Sequence, residues 1–318
     1  MIKLQDLSRY KVLVLGDLML DRYLHGDVSR ISPEAPVPVL EEHRRFDAPG
    51  GAANVVNNLA ALGAHVIPLG LVGPDEEGAR IRELLSHENV VTDGIIVCED
   101  RPTTLKTRII AGSHHVVRVD REKLLPPDPE TDSRLRHLLT SLVPTVDALV
   151  IQDYNKGLIQ PELVEWLLQL CREHDVLTAV DPKREHFFAY HGVDLFKPNM
   201  KEARQALQAE LPADSTAEDI GRTLREKLDC RNLVITRGAE GMMAFDPEVI
   251  HRIPTEAQEV IDVSGAGDTV IAALVLGLLS GATLVEAARF ANSCAGLVCQ
   301  ELGAVPVSLV KLRELWHE

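Results

Sequence analysis

Apolar runs of five to eight positions alternate along this chain with longer stretches of helical spacing. "KVLVLGD" (11–17) is apolar up to a terminal Gly-Asp, the pattern of a buried strand with polar chemistry at its C-terminal end. "PGGAANVVNNLAALGA" (49–64) predicts a small-residue helix, and "HVIPLGLVG" after it a second strand. Further strands are predicted in "DALVIQD" (147–153), "VLTAVDP" (176–182), "DLFKPN" (194–199) and "NLVITRG" (232–238). Helical patterns separate them, as in "PELVEWLLQLCREH" (161–174) and "STAEDIGRTLREKL" (215–228), and 267–300 is helical almost throughout. Such alternation predicts an α/β fold with a mostly parallel sheet and helices on both faces.

Two regions break the rhythm. Residues 18–45 include "SRISPEAPVPVLEEH", whose prolines forbid a helix and allow an edge strand. Residues 95–120 include "TTLKTRIIAGSHHVVRVD", which reads as antiparallel strands with His114 and His115 at a hairpin tip. Together they predict a small β-rich flap inserted into one α/β domain spanning 1–318. No internal repeat or low-complexity tract is visible.

Composition narrows the function classes. With 318 residues, 45% hydrophobic and 25% charged, the chain can bury a sizeable core. A formal net charge of −15 argues against non-specific nucleic-acid binding, which needs a basic footprint, and leaves room for a small anionic substrate in a locally basic pocket. No apolar run is long enough to span a bilayer, so no membrane association is expected. The N-terminal stretch lacks a signal-peptide pattern, and a cytoplasmic location is expected. Cys98, Cys171, Cys230, Cys294 and Cys299 are scattered without a CxxC pair, which predicts reduced, buried thiols.

Ligands of open parallel sheets bind at the C-terminal ends of the strands. Predicted strands end there in Gly16-Asp17, Gln152-Asp153, Asp181-Pro182, Pro198-Asn199 and Thr236-Arg237-Gly238, a polar, carboxylate-bearing edge. "DVSGAGD" (262–268) opens a helix, so Gly265, Ala266 and Gly267 supply bare backbone N–H groups for an anion. Asp268, in the first turn beside that anion, suits a base that takes a proton from an attacking hydroxyl. It also suits a plain helix cap. The stretch lacks the Lys-Ser/Thr pair of a P-loop. Gly50 and Gly51 precede a helix that carries Asn54 toward the same opening, or else form a tight turn before a packing helix. The segment is read as following a loop, and it contains no GxGxxG. Asp17 and Asp21 can accept paired hydrogen bonds from adjacent sugar hydroxyls, or cap and solvate a turn. Asn199 and Glu202 fit both a capping box and water-mediated contact with magnesium. Thr236 and Gly238 are candidate nucleotide contacts, and Lys106, Arg108 and Arg118 put positive charge on the flap.

With these motifs in order, the chain resembles the PfkB or ribokinase family of sugar kinases from end to end. Gly50-Gly51-Ala52-Ala53-Asn54 matches the family's early glycine signature, "DVSGAGD" its late signature, and Asn199 to Glu202 its Asn-x-x-Glu motif. Val263 and Ser264 depart mildly from the commonest late signature, Ser264 keeping a hydroxyl. Within the family, "GDLMLDRYLHGDVSRISPEAPVPVL", "DYNKG" and "PTEAQEVIDVSGAGDTVIAAL" look like the heptose 7-phosphate kinases of bacterial ADP-heptose synthesis, in their stand-alone form. The resemblance implies a ribokinase-like three-layer α/β/α fold with a β-rich lid that closes over sugar and often dimerises. It implies phosphoryl transfer from ATP to the anomeric hydroxyl of D-glycero-β-D-manno-heptose 7-phosphate. By the same resemblance Asp268 is the base and the 265–267 backbone stabilises the transferred phosphoryl group. Asp17, Asp21, Gly50, Gly51 and Asn54 line the sugar, while Asn199, Glu202, Thr236 and Gly238 serve Mg·ATP. Asp262 and Ser264 match positions that can carry a monovalent cation such as K⁺. Lys106, Arg108 and Lys156 are candidates for the 7-phosphate on charge and placement alone.

Rival readings are the same chemistry on fructose, ribose or fructose 1-phosphate, and a non-catalytic sugar-phosphate sensor on a kinase scaffold. A Rossmann oxidoreductase is disfavoured by the missing glycine fingerprint.

Overall fold

The computed structural model describes residues 2–112, 114–246, 249–257 and 260–316. Its strands are β1 (Lys11–Gly16), β2 (Leu18–Ile31), β3 (Pro38–Gly51), β4 (His65–Val72), β5 (Ile95–Val97), β6 (Thr104–Ala111), β7 (His114–Arg121), β8 (Ala148–Gln152), β9 (Leu177–Asp181), β10 (Leu195–Phe196), β11 (Asn232–Thr236), β12 (Met242–Phe245) and β13 (Ile250–Ile253). Its helices are α1 (Ala52–Ala61), α2 (Glu76–Leu84), α3 (Pro129–Leu142), α4 (Pro161–Glu173), α5 (Met200–Leu207), α6 (Ala217–Leu228), α7 (Ala266–Leu279), α8 (Leu284–Val298) and α9 (Leu309–Leu315).

Nine strands form the main sheet in the order β13-β12-β11-β10-β9-β8-β1-β4-β5. Pairing is parallel from β5 to β11, and the β12–β13 hairpin adds an antiparallel edge. The apolar runs are continuous because both faces are covered. Val12, Val14 and Val150 point into one core with α1, α7 and α8, while Leu13, Leu15 and Ile151 point into another with α3, α4 and α6. This is the expected three-layer α/β architecture. The five cysteines are free and buried, as their scatter predicts. Among the described residues no helix is long and apolar enough to cross a membrane.

A second, four-stranded sheet has the order β3-β2-β6-β7. Its boundaries differ from the expected flap. Residues 95–97 pair with β4 in the main sheet, so the second flap segment starts at Thr104. The first runs past residue 45 to Gly51, where β3 passes directly into α1. Gly50 and Gly51 therefore close a strand, not the loop expected from sequence. The proline-rich segment does lie at an edge: β3 is an outer strand, and Pro33 and Pro36 sit in the connection before it.

Candidate active site

The ends of β1, β8, β9 and β11 and the starts of α1, α5 and α7 converge on one cleft. At its centre α7 begins at Gly265, a left-handed residue with φ 79°. A Cβ there would lie 2.4 Å from the Asn54 amide nitrogen, so glycine answers both the backbone and the space. No side chain caps this helix. The Ala266 N–H turns back to the Val263 carbonyl at 3.2 Å, which removes it from the expected set of anion donors. The Gly265 and Gly267 N–H groups have no acceptor among the described residues and keep the character of an anion site.

Asp268 follows in the first turn and is only 4% exposed. Its Oδ2 accepts from Asn54 Nδ2 at 2.8 Å, and its Oδ1 accepts from Gln152 Nε2 at 2.9 Å and the Tyr154 hydroxyl at 3.0 Å. A carboxylate has about four lone-pair sites, so these three donors leave one for a substrate proton. Burial pushes the Asp268 carboxyl up to about 7, against the pull of the Asn54 bond and of Lys197. A buried carboxyl poised near neutrality suits proton transfer.

Asn54, a candidate for the sugar hydroxyls, donates its amide to Asp268, while Asn58 Nδ2 reaches its Oδ1 at 3.2 Å. Asn58 is held in turn by the Thr269 hydroxyl at 3.0 Å, so α1 and α7 orient the base together.

Asp17 is buried at the end of β1, where its Oδ2 accepts from the N–H of Tyr154 at 2.8 Å and of Lys156 at 3.1 Å. Burial and the neighbouring Asp153 push its carboxyl up to about 6. Gly51, at φ 57°, packs on the Asp17 carbonyl, where a Cβ would come within 2.5 Å. A Cβ on Gly50 would fall 2.8 Å from the Asp21 carboxyl carbon, so that glycine makes room for Asp21.

The flap cations meet different partners. Arg108 pairs with Asp21 at 2.7 Å and lies over the Tyr23 ring. Lys156 pairs with Glu122 at 2.8 Å. Lys106 has no ion pair among the described residues and stands 5.9 Å from the centre of the Tyr154 ring. Burial and nearby Lys156 hold its ammonium below the usual lysine range. Arg118 is exposed and pairs with Asp120.

On the other side of the cleft, Asn199 and Glu202 form a capping box on α5, Glu202 N donating to Asn199 Oδ1 and Asn199 N to Glu202 Oε2, each at 2.9 Å. Glu202 Oε1 accepts from Lys183. Each Glu202 oxygen thus has one donor and spare capacity for a metal-bound water, a donor set that fits hydrated magnesium. Thr236 bridges to Asn199 at the end of β11, and Gly238, at φ 57°, has open space where a Cβ would stand. Asp262 Oδ1 accepts from the Ser264 N–H and hydroxyl at 2.9 and 2.7 Å, and its Oδ2 from the Gly303 N–H at 2.9 Å. In this structure it ties the anion turn to the loop after α8.

The sequence put Gln152 and Asp181 on the polar strand edge without a role, and it did not single out Tyr154, Lys183 and Lys197. Lys197 is 3% exposed, pairs with Asp181 at 3.0 Å, and lies 3.7 Å from where a Gly267 Cβ would stand. The available signal was position: all five sit at or just beyond strand ends, Lys197 inside "KPN" and Tyr154 inside "DYNKG".

The geometry agrees with comparisons to known proteins. The model of the pfkB family carbohydrate kinases matches residues 9–310. The bifunctional protein HldE of Wolinella succinogenes is 39% identical over 309 residues, and that of Nitratiruptor sp. 40% over 304. These matches cover 97% and 96% of this chain but 65% and 64% of the relatives, so the chain spans a little under two thirds of their length. Among solved structures, a putative ribokinase from Agrobacterium tumefaciens superposes with a TM-score of 0.78 at 20% identity, covering 96% of this chain and 97% of its own. Arabidopsis thaliana ribokinase complexed with ribose and ATP gives 0.74 at 19%, covering 95% and 98%. A glycine-opened helix bearing a buried carboxylate, on a ribokinase-like sheet matched almost end to end, leads to one assignment: this chain belongs to the pfkB family of carbohydrate kinases.

Proposed function

We propose that the chain phosphorylates the anomeric hydroxyl of D-glycero-β-D-manno-heptose 7-phosphate with ATP, giving the 1,7-bisphosphate of ADP-heptose and lipopolysaccharide core synthesis in the cytoplasm. The observation that carries the phosphotransfer is the buried Asp268 beside the unengaged N–H groups of Gly265 and Gly267. The sugar oxygen attacks the γ-phosphorus, its proton passes to the free lone pair of Asp268, and the β,γ-bridging oxygen leaves with ADP. The two N–H groups and the α7 dipole face the charge that grows on the transferred phosphoryl group. Glu202, beside Asn199, would hold a hydrated magnesium ion bound with ATP, which would supply neutralisation of phosphate charge. Thr236 and Gly238 lie on the nucleotide side, and Asp262 with Ser264 offers oxygens to a monovalent cation such as potassium.

Asp17, fixed by its two backbone donors, accepts sugar hydroxyls, with Asp21, Gly50 and Gly51 shaping the wall. The heptose reading rests on the motif resemblance together with the HldE relatives. Of the basic residues expected to meet the 7-phosphate, Lys106 is the best supported, since Arg108 and Lys156 already face carboxylates. The small sheet acts as a lid and as the surface of a homodimer.

A coupled ADP-release assay across a panel of sugars and sugar phosphates tests this. The heptose 7-phosphate is expected to exceed ribose, fructose and fructose 1-phosphate by about 100-fold or more in kcat/KM. A higher value for any of those three overturns the heptose assignment, and no turnover of any sugar overturns the kinase assignment.

A further inference from the structure

Tyr154 touches both carboxylates of the sugar half of the site. Its main-chain N–H donates to Asp17 at 2.8 Å, and its hydroxyl donates to Asp268 Oδ1 at 3.0 Å. Lys183 and Lys106 approach its ring to 4.9 and 5.9 Å from the centre. The loop that carries it is braced at several points. Asp153 accepts from the Tyr190 hydroxyl at 2.7 Å and from Asn155 N at 2.8 Å, and Arg101 donates to the Lys156 carbonyl at 3.0 Å. Gly157, at φ 95°, seats the loop against the Leu125 carbonyl, where a Cβ would come within 2.2 Å.

We propose that Tyr154 is a positioning residue for phosphoryl transfer, holding the sugar-gripping Asp17 and the base Asp268 in one fixed relation through its amide and its hydroxyl. The proposal rests on the kinase reading of the site. With Oδ1 occupied by Tyr154 and Gln152, the remaining acceptor direction of Asp268 is on Oδ2, which has only Asn54. The Tyr154 hydroxyl therefore selects which oxygen takes the sugar proton. It also favours the ionised base, because a donor stabilises a carboxylate over its acid. Burial and Asp268 hold the phenol well above its ordinary range, so it remains a donor at any working pH. The groups facing Asp268 are Asn54 from α1, Gln152 and Tyr154 from the end of β8, Asp181 and Lys183 from the end of β9 and beyond it, and Lys197 beyond β10.

Tyr154→Phe keeps the ring and the backbone donor and removes only the hydroxyl. The expected result at pH 7 is a fall in kcat of about tenfold or more, with KM for ATP within about twofold of wild type. The acid limb of the kcat profile is expected to move up by roughly one pH unit, so that the deficit narrows toward pH 9. A profile superimposable on wild type overturns the proposal. Tyr154→Leu, which removes the ring as well, is expected to show the same displaced limb. An infrared difference titration, each protein minus its Asp268→Asn counterpart, reads the Asp268 carboxyl without substrate. Its midpoint is expected to rise in Tyr154→Phe, and an unmoved midpoint also overturns the proposal. Failure of the wild type to phosphorylate any sugar, with the midpoint still displaced, would reject the kinase reading while retaining the Tyr154–Asp268 coupling.

Discussion

Asp268 is a weak acid because of burial, which outweighs the hydrogen bonds of Asn54 and Tyr154 and a nearby ammonium. A carboxyl raised from 3.8 to about 7 is protonated over most of the acidic range, so kcat/KM is expected to fall as pH drops from 8 to 6. Asp17, raised to about 6, adds to the same limb. The linkage to stability has the opposite sign. A group whose folded pKa lies above its unfolded one favours the fold below about pH 4, and that contribution is lost as pH rises through 7. Ionised Asp268 then costs the native state on the order of 4 kcal/mol. Asp268→Asn is therefore expected to cut kcat by about 100-fold or more while melting above wild type at pH 8, with a smaller gap at pH 5. Thermal melts at the two pH values, run beside the kinetic assay, check both signs; a gap that fails to widen with pH contradicts the buried-carboxylate account.

At the scale of elements, α7 explains why the base can be so deeply buried. Its residues from Asp268 to Gly277 are buried, which a helix apolar on all sides requires. Gly277 lets α8 approach so closely that a Cβ would come within 2.8 Å of the Ala287 Cβ. The helix starts without a side-chain cap, and the Gly265 and Gly267 N–H groups stay unengaged among the described residues. Gly265→Ala tests that start. The new methyl meets the Asn54 amide and strains a left-handed residue, which costs about 1 kcal/mol. A tenfold or greater loss of kcat is expected, with a fall of a few degrees in Tm, measured by turnover and calorimetry on the same preparation. Wild-type turnover would show that Asn54 does not need its place against Asp268.

At the scale of the whole molecule, the small sheet is tied to the body by ion pairs of Arg22 and Arg121 with Glu77 of α2 and by an aromatic anchor. Tyr23 stacks on Phe46 with ring centres 4.7 Å apart, and its hydroxyl accepts from the Ala304 N–H at 3.2 Å. Gly303, beside it, also holds Asp262 of the anion turn, so the sheet and the catalytic loop share one anchor. Val28, Ile31, Val37, Val117 and Val119 are exposed on this sheet or its connection, an apolar surface that favours the proposed dimer. Sedimentation at about 10 μM is expected to give a dimer, and Val119→Lys a monomer with a raised KM for sugar. A wild-type monomer at that concentration would reject the dimer.

The sequence by itself determined the layered α/β body, because runs buried on both faces read as continuous apolar strands whatever their neighbours. It also located Asp17, Gly51, Asn199 and Asp268, since turns and strand ends mark themselves with glycine, asparagine and aspartate. The β12–β13 hairpin was harder to read, its four-residue strands being too short to carry a period. Only the tertiary structure decided what these residues do to one another. Asn54 lies 214 positions from Asp268 and Tyr154 lies 114, and no local pattern encodes contacts that long. It likewise decided that Arg108 and Lys156 pair with carboxylates while Lys106 has no ion pair among the described residues, because ion pairing depends on strand register and loop closure as well as on residue type.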